Sequence, residues 1–373
     1  MNKKYIWSVI VVIIIGLIVW SMNGKSGKQA GTNQPIKIGA VISLTGFAAP
    51  WGENVRDGMN LAMKIVNESG GIDGRQVEII LEDDHTDGKD AVSAWNKLLD
   101  VDKVDGVIGG IFDFNAQPLL PLAESRKVAL ITPTNFRLAG TFELGPHSFA
   151  MLNDLSDVIR NFRDYLSQDK VKKVAVVHFK SAFGEEIAKT IDTVLKEISK
   201  SGIIDESYTE IGTNDFKTTV AKLKSEGVDT VFIDMLGNDP VNFLKRSREQ
   251  NWKPNVLTYV GTLDAFEAVG DKSPMEGVIM VNWEIASSNF NEMFQKEYGR
   301  PALKSADMGF DSLYVMADAI AKAGNRKDVA SQIANSTFKT PNGTYVFTSN
   351  HTNDNVPVEI QIVQNGTLVP WTK

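Results

Sequence analysis

Short apolar runs alternate with longer amphipathic stretches along most of this chain, and the alternation predicts strands and helices in regular succession. The segment that sets the pattern runs from Gly106 to Asn135. It reads as a buried strand at Val107 and Ile108, a sharp turn at Gly109-Gly110, and a helix that turns Leu119, Leu120, Leu122 and Ala123 inward. A second strand comes at Ala129, Leu130 and Ile131 and ends in Thr132-Pro133-Thr134-Asn135. In a strand-helix-strand unit of this kind, ligands meet the loops that leave the carboxyl ends of the strands. Phe112 to Asn115 and Thr132 to Phe136 are therefore the first candidates for function.

The flanking sequence repeats the pattern. Ile36 to Ile42 predicts a strand, and Val55, Met59, Ala62 and Val66 share one face of the helix after it. Gly70-Gly71-Ile72-Asp73-Gly74 stops that helix; a strand over 77–81 and a helix over 89–99 come next. The alternation then restarts, with strands over 174–178, 203–210, 230–235, 256–260 and 278–281. Helices over 185–198, 216–225 and 240–249 lie between them. Further helices are expected over 290–298, 310–322 and 328–334, before a tail whose short strands turn at Asn365-Gly366. Such alternation implies α/β domains, each a parallel sheet with helices on both faces. The two runs share architecture and no residue-level repeat.

Composition narrows the function. A chain of 373 residues is too long for one compact core and suits two domains. A net charge of -7 argues against nucleic acid, which needs a basic face. The absence of cysteine excludes disulfides and thiolate metal sites. At the N-terminus, Lys3 and Lys4 precede an uncharged run from Tyr5 to Met22, near the length that crosses a bilayer as a helix. The run reads as an uncleaved anchor, with a cleaved signal peptide as the alternative. Either way the chain beyond Asn23 is exported, and 24–34 is a polar, glycine-containing tether.

The candidate chemistry is that of a binder. Glu82-Asp83-Asp84-His85-Thr86-Asp87-Gly88 resembles a calcium loop, but the position that needs a bidentate glutamate is Ala94. The run reads instead as the end of a strand and the cap of the next helix. His85, His147, His178 and His351 are far apart, without metal-ligand spacing. Gly24-Lys25-Ser26 lacks the earlier glycine of a phosphate loop, and no nucleophile motif occurs. No metal, cofactor or enzymatic activity is expected.

Six stretches taken together resemble the leucine-isoleucine-valine binding protein family, the type I solute-binding proteins of ATP-driven importers. They are IKIGAVISLTGFAAPWGENVRDGMNLA, NESGGIDGRQVEIILEDD, VIGG with AQPLLPLAE and ALITPTN, AFGEEIA, DFKTTVAKLKSEGVDTVF, and GFDSLYVMADAI. The resemblance covers nearly all of 36–369 and implies two doubly wound parallel-sheet lobes joined by a three-segment hinge. It divides the chain into an anchor and tether over 1–34, one lobe over 35–152 with 284–345, and another over 153–283 with 346–373. The implied function is a monomeric extracytoplasmic protein that closes on a small solute and presents it to a membrane permease. A ligand-sensing module is the alternative.

The family's ligand shell maps onto this sequence residue by residue. The aromatic that packs on the ligand side chain matches Trp51. Asp113, beside Phe112, stands where amino acid binders place a serine hydroxyl on the ligand carboxylate. Thr134 matches a residue that meets the ligand through its backbone, and Phe136 replaces a threonine of the same grip, with Asn135 between them. In the second lobe Phe183 matches an aromatic before a glycine, Leu236 replaces a tyrosine, and the family's ammonium-binding glutamate falls near Val260 or Gly261, next to Thr262. The scaffold therefore matches while the amino acid clamp is altered. An Asp facing a ligand carboxylate in a poorly solvated cleft repels it. The expected ligand is an amino acid or a related small polar solute, with an amide, urea, polyol or amine as the alternative.

Overall fold

A computed structural model describes residues 34–372 apart from 134–142, 213–214, 260–265, 267–268, 284–286, 303 and 354. Contacts separate Met1–Pro35 from Ile36–Lys373, and the fold is that of the second unit. The expected anchor lies outside the described residues. Among those described, no helix is long and apolar enough to cross a membrane.

The first half contains strands β1 (Ile36–Ile42), β2 (Val77–Asp83), β3 (Gly106–Gly109), β4 (Leu130–Thr132) and β5 (Ser148–Ala150). Between them run α1 (Ala49–Glu68), α2 (Gly88–Lys97), the short α3 (Asp113–Ala116) and α4 (Leu120–Arg126). Then come α5 (Leu155–Arg160), α6 (Arg163–Leu166), β6 (Val174–Phe179), α7 (Ala182–Glu197), β7 (Ile204–Tyr208) and α8 (Lys217–Ser225). β8 (Thr230–Asp234), α9 (Asp239–Glu249), β9 (Asn255–Tyr259) and β10 (Ile279–Trp283) complete that run. The last part holds α10 (Ser288–Tyr298), α11 (Lys304–Ala323), α12 (Val329–Asn335), β11 (Thr337–Lys339), β12 (Thr344–Val346), β13 (Val358–Gln364) and β14 (Thr367–Pro370).

Two sheets carry the fold. The first has the order β2-β1-β3-β4-β5, all parallel. The second has the order β14-β13-β10-β9-β8-β6-β7. Its strands β6 to β10 are parallel and repeat the order of the first sheet, so both reverse direction beside their first strand. The tail expected to turn at Asn365-Gly366 extends this parallel core: β13 joins β10 antiparallel, and β14 joins β13 antiparallel across that turn. A hairpin can add to a sheet edge without a crossover, which is why the tail strands are antiparallel. Central strands such as β8 and β10 are buried along their whole length and are mostly apolar, whereas the edge strand β7 alternates.

The chain passes from the first sheet to the second between Ala150 and Leu155, and returns after Trp283 to helices packed against the first. It crosses again after Asn353. His351 accepts from the Ala150 N–H through its carbonyl, and the Asn353 N–H donates to Ala150, so residues 351–353 lie along β5 at the first sheet's edge. The Trp283 indole N–H donates to Asn153 and ties two of the crossings together.

Helices α1 and α11 cross at their glycines. A Cβ on Gly58 would stand 1.8 Å from the Ala306 carbonyl oxygen, and one on Gly309 would stand 2.2 Å from that of Val55. Such backbone approach is open only to glycine.

Asp311 of α11 is buried under the β11-β12 hairpin, where its carboxylate accepts from Asn342 Nδ2 at 3.1 Å and from the Tyr345 hydroxyl. Burial pushes its pKa up to about 6, with hydrogen bonds from Thr340, Tyr345 and Asn342 opposing the rise. Because the folded pKa lies above the ordinary value of 3.8, the stability this group contributes is full below pH 4 and is lost as pH rises through 6. A shift of that size corresponds to about 3 kcal/mol. Asp311→Asn should therefore stabilise the protein at pH 8 relative to pH 4.5, as read by urea unfolding. Equal effects at the two pH values would contradict this.

Candidate functional site

The two sheets meet through the loops at the carboxyl ends of their strands, and a cavity of about 440 Å³ lies there. That volume suits a small organic molecule. From the first sheet come Phe47 after β1, Trp51 in the first turn of α1, Thr86 after β2, and Phe112, Asp113, Phe114 and Gln117 after β3. From the second come Phe179 ending β6 and Ser181 after it, Phe183 in α7, Ile211 after β7, Asp234 ending β8 and Leu236 after it, and Tyr259 ending β9. Both groups sit beside the strand pairs β1/β3 and β6/β8, where each sheet reverses its order. This is where open α/β sheets leave a crevice.

Five residues named from sequence, Trp51, Phe112, Asp113, Phe183 and Leu236, line this one cavity. The other five, Thr134, Asn135, Phe136, Gly261 and Thr262, lie outside the described residues.

Aromatic rings build one wall. Phe112 and Phe114 stack with planes 7° apart and centroids at 5.6 Å, and Trp51 meets Phe112 edge-on at 5.5 Å. Phe47 leans on both phenylalanines, at 6.3 and 5.9 Å. Phe47 and Phe114 remain 48% and 38% exposed, so this wall presents apolar surface to the opening. On the opposite side Phe183 leans on Tyr259 at 6.2 Å.

A buried network holds the first-sheet loops in register. Asp84, fully buried, accepts from Ser43 Oγ at 2.6 Å, from the Thr86 N–H at 2.9 Å and from Asn115 Nδ2 at 2.8 Å. Asn115 in turn accepts the Phe112 N–H at 2.9 Å. One carboxylate thus joins the loops after β1, β2 and β3; burial raises its pKa and these donors oppose the rise. The neighbouring Asp83 takes the Leu44 and His85 N–H groups, and Asp87 caps α2 through Lys89 and Asp90. Asp84→Ala would leave Ser43 and Asn115 short of their acceptor and should cost about 3 kcal/mol. A thermal midpoint within a degree of the parent would contradict that role.

Two carboxylates enter the cavity. Asp234, 3% exposed at the end of β8, accepts from the Tyr259 hydroxyl at 2.8 Å. Burial pushes its pKa up to about 6; the Tyr259 hydrogen bond and the His178 charge oppose the rise, and the charge of Asp113 adds to it. Tyr259 is itself pushed far above the usual phenol range by burial and by Asp234. Asp113 is half-buried, and its pKa is raised by loss of solvent, against the Phe114 N–H that donates to it at 2.8 Å. Its charge acts on Asp234 and on Tyr259 across the cavity. Asp113 does not cap the short α3, whose N-cap is Phe112.

Sequence reasoning misses Asp234 because the apolar run extends to Met235 and absorbs the aspartate into a strand interior. A carboxylate that ends a continuously buried strand is the available signal. Phe114 falls in the candidate loop 112–115, whereas Phe47 and Tyr259 give no signal, since an aromatic beside a strand end usually packs in the core.

A family model described as periplasmic binding protein matches residues 35–366. Leu/Ile/Val-binding protein homolog 7 of Brucella abortus is 24% identical over 304 residues, 76% of each chain. The branched-chain amino acid transporter substrate binding protein LivJ of Streptococcus pneumoniae, solved with isoleucine, has a TM-score of 0.78 at 21% identity. The match covers 90% of this chain and 97% of that one. An ABC transporter solute binding protein of R. palustris, solved with benzoate, has a TM-score of 0.78 at 20% identity, over 90% and 95% of the two chains. At such identities the two structures establish a shared fold.

Proposed function

The chain belongs to the periplasmic binding protein family, of the leucine-isoleucine-valine type, and from that premise we propose that it is an extracytoplasmic solute-binding protein which hands a small organic solute to an ABC permease. The observation that carries the reading is the cavity itself, which draws its lining from the strand ends of both sheets at both reversal points. A solute held there touches both halves and favours their approach, because its contacts are complete only when the halves close. Recognition by a permease then reads the closed form.

The first lobe in this reading takes 36–150 with 288–353, and the second takes 155–283 with 355–372. The last crossing comes after Asn353 because 351–353 pair with β5. Trp51, Phe112, Asp113, Phe183 and Leu236 belong to the ligand shell in this reading, which also assigns Thr134, Asn135, Phe136, Gly261 and Thr262 to ligand contact. The protein works as a monomer, and its N-terminal segment holds it to the outer face of the membrane.

A solute that binds only the folded state raises the unfolding midpoint. A thermal-shift panel of amino acids, amides, polyols and amines on the full chain should therefore yield at least one compound with a saturable rise. That rise should shrink in Trp51→Ala. An undiminished response in that variant would remove Trp51 from the shell.

A further inference from the structure

Among the described residues, the lining of the cavity is one-sided in charge. Among its described residues are two aspartates, Asp113 and Asp234, and no lysine, arginine or histidine. The remaining described polar side chains are Thr86, Gln117, Ser181 and Tyr259. Of these, the Tyr259 hydroxyl already donates to Asp234. Opposite stands the aromatic wall of Phe47, Trp51, Phe112 and Phe114.

Resting on the solute-binding reading above, we propose that the ligand is an organic monocation: an amine or quaternary ammonium with an apolar, ring-sized body and no carboxylate. Its charge lies between Asp113 and Asp234, and its body covers the aromatic wall. Charge-assisted contact with a carboxylate is about twice as strong as its neutral counterpart. Ring faces add attraction for a cation, since their quadrupole is negative at the face. The exposed faces of Phe47 and Phe114 supply apolar area for the body of such a ligand.

A carboxylate-bearing ligand meets the opposite field. Its anion would approach two fixed carboxylates whose charges already act on one another. The relatives solved with isoleucine and with benzoate hold ligands that carry a carboxylate. The family resemblance implies a serine hydroxyl where this chain carries Asp113. The groups that face Asp234 are Tyr259, His178 and Asp113, with Tyr208 behind Tyr259. Burial holds its pKa at about 6, so acidification below that value discharges one of the two carboxylates. Cation affinity should fall between pH 7.5 and pH 5.

Calorimetric titration of the full chain at pH 7.5 with four probes of similar shape tests this: 2-phenylethylamine, phenyltrimethylammonium, 2-phenylethanol and 3-phenylpropionate, with L-leucine and benzoate alongside. At least one of the two cations should bind about 30-fold or more tighter than 2-phenylethanol, and 3-phenylpropionate weakest of all. Asp234→Asn should reduce cation affinity by about tenfold or more and leave 2-phenylethanol within about threefold. Asp113→Asn serves as a second variant, and an unchanged far-ultraviolet spectrum confirms that each is folded. If L-leucine or benzoate binds tighter than both cations, the cation assignment is overturned while the solute-binding reading stands. If none of the six compounds binds, the cation assignment falls, and the wider panel decides the solute-binding reading separately.

Discussion

Gly58→Ala is expected to lower the unfolding midpoint by on the order of 10 °C. The cause is local and hard to relieve: the new methyl would lie 1.8 Å from the Ala306 carbonyl oxygen and 3.0 Å from the Phe310 nitrogen. Those are backbone atoms of a twenty-residue helix, so no side chain can rotate out of the way. α1 must move off α11, and Val55, Met59 and Phe310 lose part of their packing. Because α1 carries Trp51 in its first turn, ligand affinity should fall as well. Gly309→Ala strikes the same crossing from the other helix, at 2.2 Å from the Val55 carbonyl oxygen. The double variant should therefore be less destabilised than the sum of the two, since one displacement relieves both overlaps. Additive losses, or a midpoint unchanged by either substitution, would contradict the close crossing.

The second large effect concerns ligand choice. Asp113→Ser should cut the affinity for 2-phenylethylamine by about tenfold or more and raise that for carboxylates, because it removes one charge and supplies a hydroxyl donor. Asp113 is half-buried and its carboxylate takes the local Phe114 N–H, a contact within its own loop, so the exchange costs little stability. The two readouts separate cleanly: the thermal midpoint without ligand stays near the parent while the order of preferred probes changes. An identical probe order in variant and parent would remove Asp113 from the shell.

Much of the scaffold is legible in the residue pattern. β1 spans Ile36–Ile42 as the apolar run predicts, because a strand flanked on both sides in a parallel sheet buries both faces and needs no polar alternation. The inward face of α1, set by Val55, Met59, Ala62 and Val66, is buried as its spacing predicts. Leu119, Leu120 and Ala123 are buried too, while Leu122 is only partly covered. β5 is not legible: Ser148–Ala150 is three residues long, and its place rests on β4 and on 351–353, partners far away in the sequence. The position of the last crossing is hidden for the same reason. His351 stacks on Phe149 at 4.7 Å and draws that segment back to the first sheet.

The site is half legible. Loops at strand ends lead to Phe112 and Asp113 by position alone, and the family resemblance leads to Trp51, Phe183 and Leu236. The second carboxylate escapes, because the resemblance points to an acid near Gly261, whereas Asp234 ends the neighbouring strand β8 and is held there by Tyr259 from β9. Charge complementarity across a cleft depends on two segments that no local window contains, so only the fold brings Asp113 and Asp234 together.

Delivery to a permease requires that a small solute draw the two halves together over the cavity. Small-angle X-ray scattering of the full chain, with and without saturating 2-phenylethylamine, measures this directly. The radius of gyration should shrink with the amine, and the amine concentration needed for that should rise by about tenfold or more in Asp234→Asn. A parent protein that binds the amine calorimetrically and keeps its radius would contradict closure, and with it the mechanism proposed for delivery.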